Sequence, residues 1–221
     1  MTGNINNKTL VNNGFTLAEV LITLAIIGVV AAITMPIIMT NAKNHEYVNR
    51  LKKAYSVLKQ SSYRISMASG YPVGDFSFME NDDFFENFAS EVAYSKICRN
   101  DHEGCFTPNK VKSLRGAGWE YYDTKNSLVS NDGISYGWYK EIWCTGKGFV
   151  PSDERNCIGR FIVDVNGQNP PNKFGRDVYF FGVINNKGIV PAGEYRADDC
   201  KKDGNGITCA GRVLKEGKIS Y

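Results

Sequence analysis

The chain is poor in histidine. Its 221 residues include only His45 and His102, and neither stands at metal-ligand spacing from the other. No Cys-x-x-Cys occurs, so a zinc site has no ligand pattern to draw on. A Ser-His-Asp or Cys-His nucleophile arrangement is equally short of parts. Charge of one sign is lacking too: 26 Lys and Arg against 23 Asp and Glu leave a formal charge of +3, with the basic residues scattered. Nucleic acid is therefore not indicated as a partner. No internal repeat or low-complexity linker breaks the chain, and the glycines near Gly116 and Gly146 lack the strand-to-helix setting of a phosphate loop. Nothing in this inventory points to an enzyme.

Cysteine is absent from the first 97 residues. All six lie beyond: Cys98, Cys105, Cys144, Cys157, Cys200 and Cys209. An even number of loop cysteines behind a membrane-targeting segment reads as disulfides made in an oxidising compartment. Six cysteines allow fifteen pairings; proximity along the chain favours Cys98–Cys105, Cys144–Cys157 and Cys200–Cys209.

Residues 15–39 read FTLAEVLITLAIIGVVAAITMPIIM, a 25-residue run with one charge, Glu19. As a helix it reaches about 37 Å, enough to cross a hydrocarbon core of about 30 Å. The segment before it, MTGNINNKTLVNNG, is polar and ends at Gly14. A secretory signal is cut after its apolar region, behind small residues such as Ala31 and Ala32. Here the compositional boundary precedes the apolar region. Conventional cleavage and an uncleaved anchor both leave Glu19 unexplained, because a carboxylate inside an apolar helix costs roughly 2.5–3.5 kcal/mol on insertion scales. The first cation after it is Lys43, out of helical reach. Cleavage between Gly14 and Phe15 would create an α-amine four residues before Glu19, able to neutralise it on the same chain or a neighbouring one.

Gly14-Phe15-Thr16-Leu17-Ala18-Glu19 with the apolar run behind it resembles the prepilin-type cleavage and methylation motif shared by type IV pilins and type II secretion pseudopilins. The resemblance implies a leader of residues 1–14 removed by a prepilin peptidase, an N-methylated Phe15 and a Glu19 that pairs with the amine of an adjacent subunit. It implies that Pro36 marks a place where the helix kinks or melts on assembly, since proline removes one backbone bond and crowds the preceding turn. The implied partners are related pilin subunits, the peptidase, an inner-membrane assembly platform and the membrane. The implied location is the inner membrane, head in the periplasm, and then a periplasmic or extracellular filament. Its use is as a structural subunit, in a type II secretion pseudopilus or, alternatively, in a surface pilus for adhesion, motility or DNA uptake. A membrane-anchored binding module is the reading from another class.

Beyond the membrane segment, Val48, Leu51, Tyr55, Leu58, Ser62 and Ile65 keep a helical three-to-four spacing up to Gly70 and Pro72. A short helix is expected from Asn81 to about Tyr94, with Phe84, Phe85 and Phe88 inward. Strand signals follow at 127–130, 134–139, 161–163, 178–184 and 189–190, separated by turn residues. The expected class is α+β: a long N-terminal helix packed on an antiparallel sheet, type IV pilin-like, with a head of residues 40–221. The tail from Ala192 reads as a loop tied by Cys200–Cys209. The aromatic groups at 119–122 and 138–143 read as core and sheet packing rather than a ligand platform.

One constellation remains. Asp164-Val165-Asn166-Gly167, followed by Asn169, Asn172 and Asp177, gathers hard oxygen donors around a turn, as calcium loops do. The EF-hand's final Glu is missing. The alternative is a tight Asn-Gly turn with solvated acids. Some pseudopilins resemble this arrangement in holding Ca2+ between strands, which makes Asp164, Asn166 and Asp177 the candidate ligands.

Overall fold

The structure, a computed structural model, describes residues 14–79, 83–100, 104–106, 111–118, 124, 126–139 and 157–221. The chain forms two compact units, Met1–Ala42 and Lys43–Tyr221, a division three residues beyond the edge of the apolar run.

Helix α1 spans Leu17–Ala68 and stays helical through Pro36. Within the first unit its apolar side chains are exposed, from Leu17 at 77% to Met39 at 55%. This stretch is long and apolar enough to cross a membrane. Its hydroxyls are satisfied inside the helix: Thr23, Thr34 and Thr40 donate to the carbonyls of Val20, Val30 and Pro36 at 2.9–3.0 Å. A lipid-facing helix requires that closure, because hydrocarbon offers no hydrogen-bond partner.

In the second unit α1 becomes amphipathic. Tyr47, Val48, Leu51, Ala54, Leu58 and Ile65 are buried along one stripe. They pack on a six-stranded antiparallel sheet in sequence order: β1 (Tyr94–Arg99), β2 (Asn126–Ser130), β3 (Ser135–Tyr139), β4 (Cys157–Asp164), β5 (Val178–Ile184) and β6 (Gly188–Pro191). Helix α2 (Asp83–Glu91) adds Phe84, Phe85 and Phe88 to the same core. Phe88 meets Phe161 at 4.7 Å between ring centres, and Trp138 meets Phe161 at 4.8 Å. The two-residue period of β5 sorts its side chains. Tyr179, Phe181 and Val183 face the α1 core, while Val178, Phe180 and Ile184 join a second cluster with Phe174 and Ile207. Both faces of β5 are therefore covered, and the strand is buried throughout.

Two expectations need correction. The second helix ends at Glu91, and Tyr94 opens strand β1, which the sequence did not suggest. Most side chains of that edge strand are exposed, so the hydrophobic alternation that reveals a strand is missing. The tail is not all loop: α3 spans Ala210–Glu216 and ends at Gly217 in the left-handed conformation that favours glycine there. Asn81 and Asp82, expected at the start of the second helix, lie outside the described residues, as do His102, Trp119, Tyr121, Tyr122 and Trp143.

Disulfides join Cys98 to Cys105 and Cys200 to Cys209. Cys144 lies outside the described residues, and with it the third expected pair. The first bridge ties edge strand β1 to its following loop with a sequence separation of 7. Replacing Cys98 and Cys105 together by serine should cost about 2–3 kcal/mol, the loop-closure entropy returned to the unfolded chain. A lower urea midpoint for the variant in detergent would register that cost; an unchanged midpoint would contradict it.

Candidate functional site

Two places bring the sequence candidates together, one in each unit. The first is the start of α1. Residues 14–16 are not helical and the helix begins at Leu17, so the Gly14–Phe15 bond lies ahead of the helix in open chain. Thr16 sets that start. Its hydroxyl accepts the Glu19 amide at 3.2 Å, while its own amide and hydroxyl donate to Glu19 Oε2 at 2.9 and 2.8 Å. This is a capping box, in which the cap and the residue three positions on satisfy each other's end groups. Glu19 thus has a local partner in addition to the cation its place in an apolar run calls for, and a Thr-x-x-Glu before such a run is the written sign of that partner. Phe15 is 89% exposed. Pro36 sits in continuous helix, where it supplies no N–H to the Ala32 carbonyl.

The second place is the loop from β4 to β5. Gly167 turns the chain at φ +69°, and a Cβ there would meet the Gly133 carbonyl oxygen at 2.8 Å. Asp164 at the end of β4 and Asp177 at the start of β5 are both buried, joined through the Val165 amide donating to the Asp177 carbonyl at 2.8 Å. Asp177 also accepts the amides of Asn172 and Lys173 at 2.8 and 2.6 Å, so its carboxylate holds the loop. Asp164 Oδ1 accepts the Asn166 amide at 3.2 Å. The Asn166 side chain donates to the carbonyls of Asn169 and Pro170 at 2.9 and 3.1 Å, leaving its Oδ1 buried without a partner.

Asn172 completes the cluster and was not among the three candidates. Its amide lies 3.2 Å from the Asn169 carbonyl oxygen and 3.0 Å from Asp164 Oδ2. Two arrangements satisfy those contacts. Either the NH2 donates to both oxygens, or the amide oxygen stands with them around a cation. Burial pushes both carboxyls up: Asp164 well above the usual carboxylate range, with the Asp177 charge adding to the shift, and Asp177 to about 6. A divalent cation would reverse that pressure. Among the described residues no three His, Cys, Asp or Glu side chains converge on one point. The donor set is thus carboxylate, amide and carbonyl oxygen, which suits calcium and not zinc.

Helix α1 braces this loop. Arg50 donates through Nε to the Val165 carbonyl and through Nη2 to the Asp132 carbonyl at 2.9 Å. Lys53 pairs with the Asp132 carboxylate at 2.8 Å. His45 is exposed on α1, Trp138 lies in the core, and Asp199 pins the 199–208 loop by accepting the amides of Ile207 and Thr208 at 3.2 and 2.9 Å.

No curated protein and no solved structure matches the chain. Residues 11–35 match the family model described as the prokaryotic N-terminal methylation motif, which spans Gly14, Phe15 and the Thr16–Glu19 box. The motif points to a structural subunit rather than an enzyme. It implies processing by a prepilin peptidase and assembly into a filament, and the apolar helix fits a membrane-anchored subunit. With that motif heading a long helix that packs its second part on an antiparallel sheet, the chain is type IV pilin-like.

Proposed function

We propose that the protein is a pseudopilin of a type II secretion system, one subunit of a short fibre that helps to move folded proteins outward. The observation that carries this reading is the oxygen-lined loop between β4 and β5 on a chain headed by the methylation motif. In this reading the peptidase cuts between Gly14 and Phe15, the new amine is methylated, and Glu19 meets the amine of the next subunit. The head stays on the periplasmic side until the fibre grows.

The same loop is proposed to take Ca2+, with Asp164, Asn166, Asn172 and the Asn169 carbonyl supplying oxygens and Asp177 holding the backbone in place. Calcium there would offset the cost of two buried carboxylates and stiffen the loop that Arg50 ties to α1.

The alternative is a surface pilin for adhesion, motility or DNA uptake. Deletion of the gene separates them. The secretion reading expects hydrolytic enzymes to remain in the periplasm while surface fibres and transformation are unchanged. Normal secretion with lost fibres, or with lost transformation, would sink it in favour of the surface pilus.

A further inference from the structure

Both bonds from Thr16 land on one oxygen of Glu19. The Thr16 amide and hydroxyl reach Oε2, and no described residue donates to Oε1. The carboxylate is therefore fixed by its own chain on one side and open on the other. Each Thr16 group matters in an apolar setting. An unpartnered Glu19 would rotate among rotamers and draw water or lipid headgroups to itself, whereas a capped one has a single direction.

We propose that Thr16 is a positioning residue for filament growth, holding Glu19 by Oε2 so that Oε1 faces the incoming N-terminal amine of the next subunit. This rests on the filament reading. An ammonium needs only one oxygen of a carboxylate to make a charge-assisted hydrogen bond, so the box can persist while the intersubunit pair forms. Fixing Glu19 before contact removes an ordering cost from assembly, as preorganisation does in any association. A plain helix cap would serve the helix start alone. A positioning role predicts in addition that the state of the Glu19 carboxylate depends on the Thr16 hydroxyl.

The test uses the full chain in its own host with the assembly machinery present, comparing Thr16→Val, Thr16→Ser and Glu19→Ala. Valine keeps the shape of threonine and removes the hydroxyl; serine keeps the hydroxyl. Filaments sheared from cells should fall about fivefold or more for Thr16→Val and stay within about twofold for Thr16→Ser, with membrane insertion and the mass of the cut subunit unchanged. In lipid, without the assembly machinery, the Glu19 carboxylate stretch is isolated in the infrared by difference against Glu19→Gln. It should shift in Thr16→Val and hold in Thr16→Ser. That measurement decides the matter even if Thr16→Val escapes cleavage. Wild-type filament yield from Thr16→Val beside absent Glu19→Ala filaments overturns the proposal alone, as does an unmoved carboxylate band. Normal filaments from Glu19→Ala overturn the filament role of Glu19 and this proposal with it.

Discussion

Glu19→Ala should yield a subunit that enters the membrane and is cut after Gly14, yet filament recovery should fall by roughly a hundredfold. The arithmetic begins with the carboxylate, which costs about 2.5–3.5 kcal/mol in an apolar helix unless it is partnered. Its own chain supplies two hydrogen bonds through Thr16. These neutralise no charge. An incoming amine does, and the pair would contribute about 3 kcal/mol per subunit contact, a factor of roughly a hundred in association. Alanine removes both the cost and the pair, so insertion is unharmed and only assembly suffers. Glu19→Gln sharpens the point. Glutamine can close the same capping box but carries no charge, so it too should fail to assemble. Filaments from the glutamine variant at wild-type level would assign Glu19 to the helix cap and to nothing further. Sheared-filament yield beside the membrane-bound pool measures both.

Calcium should raise the unfolding temperature of the protein at pH 7.5 and scarcely move it at pH 5. The folded-state carboxyls of Asp164 and Asp177 are raised above their unfolded values by burial, Asp177 to about 6. The folded protein therefore holds more protons than the unfolded chain between about pH 4 and those raised values. Asp177's share of that stability is complete below about pH 4 and is lost as the pH rises through about 6, and Asp164's is lost as the pH rises through its own raised value. A bound cation offsets the loss where the carboxylates are charged and has little to offset where they are protonated. At a hundredfold excess over its dissociation constant, calcium would contribute about 2.7 kcal/mol. For a head of this size that is roughly 6–10 °C. Magnesium should do less, because it dehydrates reluctantly and demands a tighter octahedron. Asp164→Asn should abolish the calcium response. Asp177→Ala strands the Asn172 and Lys173 amides and should cost about 2–5 kcal/mol with or without calcium. An equal calcium shift at both pH values, or none at either, would leave the loop to the Asn172 amide donating to Asp164 and Asn169.

The two places differ in how much of them the sequence carried. The N-terminal one is written along a single stretch of chain. Gly14, Phe15, Thr16 and Glu19 act through spacing on one helix start, so their order is already their geometry. The stripe from Val48 to Ile65 was legible for the same reason, as were the hairpin at Asn131-Asp132-Gly133 and the two short-range disulfides. The loop site is assembled across two strands. Asp164 and Asp177 sit at the facing ends of β4 and β5, which the residue types suggested. The part played by Asn172 depends on a backbone at φ +48° that aims its amide at Asp164, and no spacing announces that. Strand β1 and helix α3 were missed because neither carries a regular apolar pattern. Only Cys98 is fully buried in β1, and α3 carries Gly211 in its first turn, so neither shows the period that marks an element.

The measurement that tests the central claim most directly is the mass and N-terminal sequence of the protein recovered from its native membranes. The account predicts a chain that begins at N-methyl-Phe15. A chain that keeps Met1, or one that begins after Ala32, would contradict it and leave a tethered or released binding domain in its place.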